Sequence, residues 1–224
     1  MNEPVKGARL KRLQTRGEEI ANAVSHGSGL LASVALLPVL ITVALKRHDP
    51  WSVVGAAVFG ASMALLYATS TFYHWMPHGT TAKRVWRVLD HSAIYILIAG
   101  TYTPFALGAM RGTLGYVLLA LMWVCAVVGV VLKSGGGFGH PRLSTVMYVV
   151  MGWTAILFIK PMWLAIGTPG LAWILAGGLA YTGGVVFYAR DWRRYHHFLW
   201  HLCVMAGTAC HFVAVVAYSG GVRR

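Results

Sequence analysis

The sequence predicts an all-α membrane protein, a bundle of seven transmembrane helices with its N-terminus in the cytoplasm and its C-terminus outside. Of the 224 residues, 57% are hydrophobic and 11% are charged, and a soluble domain rarely carries so few charges. The apolar residues form seven runs, each close to the length of about twenty residues that a helix needs to cross a bilayer. Lys and Arg gather in alternate connecting segments, and this asymmetry sets the orientation.

The seven apolar runs are separated by segments that contain charged residues. We expect each run to be helical, because a chain inside lipid must satisfy its own backbone hydrogen bonds. The fifth run is the weakest, since Lys160 and Pro161 cut it short. The predicted spans are Ala21–Leu45, Trp51–His74, Asp90–Ala109, Leu114–Leu132, Leu143–Ile159, Leu171–Ala189 and Tyr195–Tyr218.

The basic residues indicate how these spans are oriented. Thirteen of the 19 Lys and Arg residues fall on the side of the N-terminus and six on the other, so the positive-inside rule places the N-terminus in the cytoplasm. We therefore divide the chain into a basic cytoplasmic segment, residues 1–20, and a transmembrane domain, residues 21–219. The net charge of +13 could indicate a nucleic-acid partner, but the basic residues of the chain lie in short segments between apolar runs. This pattern favours contact with anionic lipid headgroups, and we expect no nucleic-acid partner.

Four ionisable side chains fall at the cytoplasmic ends of the predicted spans. His74 ends the second span, Asp90 opens the third, and His197 and His201 open the seventh. Ionisable groups at membrane depth are expensive and usually mark a functional site. Three imidazoles bind a catalytic zinc ion and leave one position open. The sequence therefore predicts a zinc site with three histidine ligands and a neighbouring carboxylate.

The histidine pair by itself is a weak signal. His197 and His201 are four residues apart and so share one helix face, but histidines at the interface also bond to lipid headgroups. His74, at the same depth on another helix, favours the metal site over that alternative. The hypothesis requires His74 to lie within about 8 Å of the pair, because the three side chains must share one ion.

Two other residues have a structural and a functional interpretation. Ser70 lies one helical turn before His74, where it can bond back to the carbonyl of Leu66 or donate to a developing oxyanion beside the metal. Asp90 can cap the N-terminus of the third span or take a proton from a zinc-bound water. His26 is interpreted as a packed polar contact. We expect His211, about 20 Å deeper than His197, to line the bundle interior.

Several stretches of the sequence resemble the bacterial hemolysin III proteins, which belong with the progestin and adipoQ receptor family. The resemblance extends from Glu18 to Tyr218, and the long motif in the third span is its most specific part. The motifs are Glu18–Asn22, Ser25–Gly27, Ser70–His74, Leu89–Phe105 and His197–His201, with His211 beyond them.

This resemblance implies a seven-helix protein of the bacterial inner (plasma) membrane that binds zinc near the cytoplasmic face. Carried over by position, the zinc ligands are His74, His197 and His201. Asp90 would hold the zinc-bound water, and Ser70 would lie beside it. The adiponectin receptors and the related alkaline ceramidases are described as lipid amide hydrolases, so the resemblance also implies such an activity.

Three functional hypotheses follow. The first is a zinc-dependent hydrolase of a lipid amide or ester, with the fatty-acyl chain in an apolar cavity between helices. The second is a non-enzymatic sensor or regulator of membrane lipid homeostasis, in which zinc joins the second and seventh helices. The third is a pore-forming, haemolytic protein. A pore predicts polar residues through the middle of several spans, where the sequence offers essentially His26 and His211.

Overall fold

The structure, a computed structural model, describes residues 12–135 and 141–221, and within these ranges the chain is helical with short connections. Residues 1–11 of the predicted basic segment lie outside the described residues. The α-helices are α1 (Arg16–Leu45), α2 (Pro50–Trp75), α3 (Thr81–Leu107), α4 (Thr113–Ser134), α5 (Pro141–Trp153), α6 (Ile159–Tyr188) and α7 (His196–Tyr218), and a 3₁₀ segment, Thr154–Phe158, joins α5 to α6.

Five helical stretches in the described part of the chain are long and apolar enough to cross a membrane. The stretch Leu143–Tyr188 has 46 residues, which is long enough for two crossings at about twenty residues each. Helix α3 is not among the five, because Asp90, His91 and several Thr, Tyr, Gly and Pro residues lower the mean hydropathy of its apolar part. The five stretches are Arg16–Leu45, Pro50–Trp75, Thr113–Ser134, Leu143–Tyr188 and His196–Tyr218.

Helix α3 begins nine residues before the predicted third span. Its N-cap is Thr80, whose side chain accepts a hydrogen bond from the backbone N–H of Lys83. The interpretation of Asp90 as an N-cap is therefore wrong, since Asp90 lies in the third turn of a helix that is already established. The apolar run does not predict this start, because basic and apolar residues alternate in the early turns of α3, at the end of the bundle.

The boundary between the fifth and sixth spans also differs from the prediction. Lys160 and Pro161 do not end a helix but lie in the first turn of α6. Proline is tolerated there because the backbone N–H groups of a first turn have no partner within the helix. The regular α-helical backbone is interrupted instead at two places. These are the 3₁₀ segment Thr154–Phe158 and Gly167, whose φ of 69° lies in the left-handed region. Glycine adopts this conformation without steric cost.

The chain folds back on itself between α5 and the end of α6. Trp153 Nε1 donates a hydrogen bond of 2.9 Å to Thr182 Oγ1. In one straight helix these residues would be about 43 Å apart, because each residue adds 1.5 Å of rise. The reversal lies between them, in the region of Gly167 and Pro169.

Helix α3 is the central element of the bundle. It packs on α2 and α4 and also contacts α5 and α7, and its side chains Tyr95, Ala99 and Phe105 are fully buried. Helix α1 packs on α2 and α7, and α7 packs on α6. The C-terminal end of α2 and the N-terminal end of α7 therefore meet beside the first turns of α1, and this position defines the candidate site.

The opposite end of the bundle is held by two arginines. Arg47 donates to Ser219 Oγ at 2.7 Å and to the carbonyl of Val216 at 2.8 Å, and so it caps the C-terminus of α7. Arg111 Nη1 lies 2.8 Å from Asp49 Oδ1. The same Asp49 is the N-cap of α2, which ties the α3–α4 connection to the start of α2.

We expect the Asp49–Arg111 pair to give a small stabilisation that depends on pH. The hydrogen bond from Arg111 lowers the pKa of Asp49 below its ordinary value of 3.8. The contribution is therefore complete above that value and is lost as the pH falls through the lowered pKa of the folded protein. The Asp49→Asn variant, which keeps the cap, should unfold at a lower temperature at neutral pH and approach the wild type in acid. Thermal unfolding in detergent across this pH range measures the difference, and an offset that is constant with pH would contradict the prediction.

Candidate metal centre

Three histidines from two helices converge at one end of the bundle. His74 lies in the last turn of α2, and His197 and His201 lie in the first two turns of α7. Their ring centroids are 4.8–5.1 Å apart in all three pairs. One candidate ligand atom from each residue lies within 4.8 Å of the others. The predicted convergence is confirmed, and we call these three residues the histidine cluster.

The histidine cluster lies within the protein and away from solvent. The exposed fraction is 3% for His74 and 2% for His201, whereas His197 is partly buried. A buried imidazole needs a partner for each ring nitrogen. The partners of each ring therefore determine which nitrogen is available to a metal.

A carboxylate from α1 fixes the tautomer of His74. Nδ1 of His74 lies 2.7 Å from Oε2 of Glu19. Because an ionised carboxylate only accepts hydrogen bonds, Nδ1 carries the proton and Nε2 presents its lone pair. In the described part of the chain, this buried Nε2 has no hydrogen-bond partner. A histidine held by a carboxylate in this way is typical of a metal ligand.

His201 is also held at Nδ1 by partners from α1. Its Nδ1 lies 3.3 Å from the carbonyl oxygen of Asn22 and 3.1 Å from Oγ of Ser25. The hydroxyl of Ser25 already donates to the same carbonyl, at 2.9 Å. A carbonyl accepts only, so Nδ1 of His201 is the donor and its Nε2 is left with a lone pair. Two of the three imidazoles are thus set to present Nε2, and the cluster can hold a metal ion.

Glu19 has further partners that hold it in place. Lys83 Nζ lies 2.8 Å from Glu19 Oε1, and the two side chains are 9% and 11% exposed. His78 Nε2 lies 3.1 Å from the same oxygen. The Lys83 ammonium also lies 4.5 Å from the ring centroid of Tyr73. The charge of a buried carboxylate beside His74 is therefore compensated by a lysine from α3.

Helix α1 contributes side chains to this site that the predicted set of site residues does not include. Glu19, Asn22 and His26 are spaced i, i+3 and i+7, which places them on one helix face. That spacing of polar residues in an apolar span is the signal that identifies them as facing the site. His78 and His91 also contact acidic side chains of this region.

Ser70 does not bond back to Leu66 among the contacts of the described residues. Its Oγ lies 2.7 Å from Nδ1 of His26. The His26 ring in turn stacks on His201, with centroids 3.5 Å apart and an interplanar angle of 9°. The interpretation of His26 as a packed polar contact is confirmed, and its contacts connect Ser70 to the histidine cluster.

Asp90 reaches the same region from α3. Its side chain is 13% exposed, and its Oδ2 lies 3.4 Å from Nδ1 of His91. Asp90, Ser70, His197 and His201 all line one cavity. The structure therefore brings the predicted carboxylate and hydroxyl to the same internal space as two residues of the histidine cluster.

This cavity is long and mostly apolar. It begins at Asp90 and the histidine cluster and continues between α3, α5, α6 and α7 to Phe105 and Met162. Most of its wall is formed by aliphatic and aromatic side chains, and His211 lines its deeper part. The predicted position of His211 in the bundle interior is confirmed. A cavity of this kind is suited to an apolar ligand with one polar end.

A second carboxylate of α1 positions the start of α7. Tyr195, the N-cap of α7, has a φ of 59°, which is unusual for a residue other than glycine. Its backbone N–H donates to Oε1 of Glu18 at 2.8 Å. Arg12 donates to both oxygens of Glu18, and this hydrogen bond raises the pKa of the Arg12 guanidinium above its ordinary value. The start of α7, which carries His197 and His201, is thus held in position by α1.

The sequence of the whole site region matches a known family. The model of haemolysin-III-related proteins covers residues 14–212, which include every residue of the site described above except Arg12. The chain belongs to this family. The predicted resemblance to the bacterial hemolysin III proteins is thereby confirmed.

Individual relatives of this haemolysin-III-related protein are similar over most of their length. Hemolysin-3 homolog of Bacillus subtilis (strain 168) is 43% identical over 203 residues, which cover 90% of this chain and 94% of that protein. Hemolysin-3 of Bacillus cereus is 42% identical over 201 residues, or 90% and 91% of the two chains. Monocyte to macrophage differentiation factor of Homo sapiens is 27% identical over 209 residues, or 90% and 84%. The similarity therefore extends from bacteria to animals.

Proposed function

We propose that this haemolysin-III-related protein is a zinc-dependent hydrolase that cleaves an amide or ester bond of a membrane lipid. The observation that supports this function most strongly is the buried histidine cluster, with His74 and His201 each held at Nδ1 so that Nε2 is available. A site prepared in this way for a metal opens into a cavity with mostly apolar walls. The combination fits hydrolysis of a lipid headgroup bond whose acyl chain lies inside the protein.

We further propose that the chain crosses the bacterial inner (plasma) membrane seven times. The five apolar stretches supply six crossings if Leu143–Tyr188 turns back near Gly167, and the buried helix α3 supplies the seventh. The excess of Lys and Arg on the side of the N-terminus favours a cytoplasmic position for it. The histidine cluster then faces the cytoplasm, and basic residues such as Arg84 and Arg87 lie at the level of anionic headgroups.

In this mechanism His74, His197 and His201 hold the zinc ion, which when bound acts as a Lewis acid on the scissile carbonyl. The Asp90 carboxylate accepts the proton of the attacking water and then delivers it to the leaving nitrogen or oxygen. Ser70 Oγ donates a hydrogen bond to the oxygen on which negative charge develops. In this mechanism Nδ1 of His26, 2.7 Å from Ser70 Oγ, is the donor of their hydrogen bond, which leaves the hydroxyl hydrogen of Ser70 for that oxygen.

The Asp90→Asn variant tests this function. We expect purified wild-type protein with zinc to release free fatty acid from a ceramide or a diacylglycerol, as measured by mass spectrometry. Asp90→Asn should lower the rate by about 10²–10⁴-fold, the range for loss of a general acid–base, while the zinc content is unchanged. Asp49→Asn removes a carboxylate at the opposite end of the bundle and should keep full activity. Equal rates in the wild type and Asp90→Asn would contradict the proposal.

One observation favours a second function, regulation of the membrane by a non-enzymatic protein with a structural zinc. Helix α2 packs mainly on α1 and α3, whereas α7 packs mainly on α6 and α1. An ion shared by His74 and the α7 histidines would therefore join two helices with little direct packing between them. This function predicts that Asp90→Asn keeps its membrane-regulating activity and that metal removal lowers the thermal midpoint in both proteins.

A further inference from the structure

His211 is a polar residue deep in an apolar cavity. It lies ten residues after His201 on α7, which corresponds to about 15 Å along the helix. Its ring faces the same cavity as the histidine cluster but is too distant to share its ligand. A polar side chain at this depth is costly unless its hydrogen bonds are satisfied, so the partners of each of its ring nitrogens are informative.

One nitrogen of His211 is satisfied and the other is not. Nε2 lies 3.1 Å from the carbonyl oxygen of Ile174 on α6. Since a carbonyl only accepts, Nε2 carries the proton and Nδ1 holds a lone pair. Nδ1 is buried and has no hydrogen-bond partner among the described residues. His211 therefore presents one unused acceptor in the interior.

A second unused acceptor lies next to it. The Tyr181 hydroxyl is 2.7 Å from Thr208 Oγ1, and Thr208 already donates its own hydroxyl hydrogen to the carbonyl of Val204 at 2.9 Å. Either oxygen can be the donor by geometry. Because the hydrogen of Thr208 is engaged with Val204, we assign the hydrogen between the two hydroxyls to Tyr181, which leaves the phenolic oxygen to accept. The rings of Tyr181 and His211 have centroids 5.5 Å apart, and both rings line the cavity.

Two glycines make room for these rings. A Cβ atom at Gly207 would lie 2.6 Å from the Tyr181 ring, and a Cβ atom at Gly177 would overlap the His211 ring. Each ring therefore packs against the backbone of the facing helix, at a distance that only glycine permits. The two acceptors, Nδ1 of His211 and the Tyr181 oxygen, are held by both α6 and α7; we call them the acceptor pair.

We propose that the acceptor pair binds a hydroxyl group on the hydrocarbon chain of the lipid, so that the protein selects chains hydroxylated at one depth. With the hydrogens assigned in this way, both atoms accept and neither has a hydrogen left for a ligand, so their partner is a donor. A hydroxyl is the donor that a lipid chain carries at low desolvation cost. This inference rests on the proposed function, because it requires an acyl chain in the cavity.

The experiment compares stearate with stearates that carry one hydroxyl group at successive positions along the chain. Their affinities for the purified full-length protein are measured by displacement of a fluorescent fatty acid. We expect one position to bind about three- to tenfold more tightly than stearate, the value of one net hydrogen bond, since a hydroxyl has a single hydrogen to donate. His211→Phe should lower this preference, because only the Tyr181 oxygen is then left to accept from the hydroxyl. Tyr181→Phe, which deletes a single oxygen atom, should reduce it.

The control is Thr101→Val, which removes another hydroxyl from the cavity wall. Because the hydroxyl of Thr101 already donates to the carbonyl of Leu97, the preference for a hydroxylated chain should be unchanged. The inference is overturned if stearate binds as tightly as every hydroxylated chain, since a buried water then serves the acceptor pair. It is equally overturned if both variants keep the wild-type preference. If no fatty acid binds at all, the acyl-chain cavity of the proposed function is overturned as well, so the two failures are distinguishable.

Discussion

We expect the His201→Ala variant to lose tight zinc binding, because it removes one of three ligands whose geometry is already fixed. His201 is 2% exposed and is held at Nδ1 by Asn22 and Ser25, so no other side chain can take its place without a rearrangement of α1. The loss in affinity should exceed the roughly 10–100-fold effect that is typical of residues behind the ligands. Competition with a chromophoric chelator measures the zinc affinity of the detergent-solubilised protein.

His196→Ala is the matched control for this variant. His196 precedes His197 on α7, but its ring lies against Phe187, with centroids 5.6 Å apart, and it does not belong to the histidine cluster. We expect His196→Ala to bind zinc with wild-type affinity. If His201→Ala retained wild-type zinc affinity, the metal centre would not be formed by this cluster.

We expect Glu19→Gln to weaken zinc binding by about 10–100-fold, although Glu19 itself is not a ligand. The glutamine can still accept the hydrogen bond from Nδ1 of His74 but lacks the negative charge that makes the imidazole a stronger donor to the metal. The variant also leaves Lys83, which is 9% exposed, without its carboxylate partner, so we expect a lower thermal midpoint.

A double variant separates these two effects. Glu19→Gln with Lys83→Met removes both charges, and replacing a whole buried ion pair usually restores stability. We expect the thermal midpoint to recover while the zinc affinity stays low. Recovery of zinc affinity together with stability would mean that Glu19 serves only the ion pair. His78→Ala removes the most exposed partner of Glu19, at 42%, and should change neither quantity.

Much of the fold follows from the sequence because lipid imposes simple rules. Four of the predicted spans, the first, second, fourth and seventh, agree with α1, α2, α4 and α7 to within about five residues. The convergence of His74 with His197 and His201 also follows, since alternate crossings bring those helix ends to the same side. Composition and direction of crossing suffice for these conclusions, and neither depends on side-chain packing.

Other features could not be predicted from hydropathy. The early turns of α3 carry Lys83, Arg84 and Arg87 and read as a loop, although the helix begins at Thr81. A hydropathy window averages over such turns, whereas the start of the helix depends on local capping by Thr80. The predicted connection between the fifth and sixth spans, residues 160–170, contains the reversal near Gly167, but Lys160 and Pro161 are helical. A proline in a first turn cannot be distinguished from a helix break by residue type alone.

The sequence by itself determined that this is a membrane protein of the haemolysin-III-related family, with three histidines and an aspartate gathered at one end. Only the tertiary structure decided which nitrogen His74 and His201 present, because that depends on partners from α1, namely Glu19, Asn22 and Ser25. It also revealed the acceptor pair of His211 and Tyr181. The physical reason is that a hydrogen bond requires atoms within about 3 Å and in line, and the distances between side chains of different helices are set by packing.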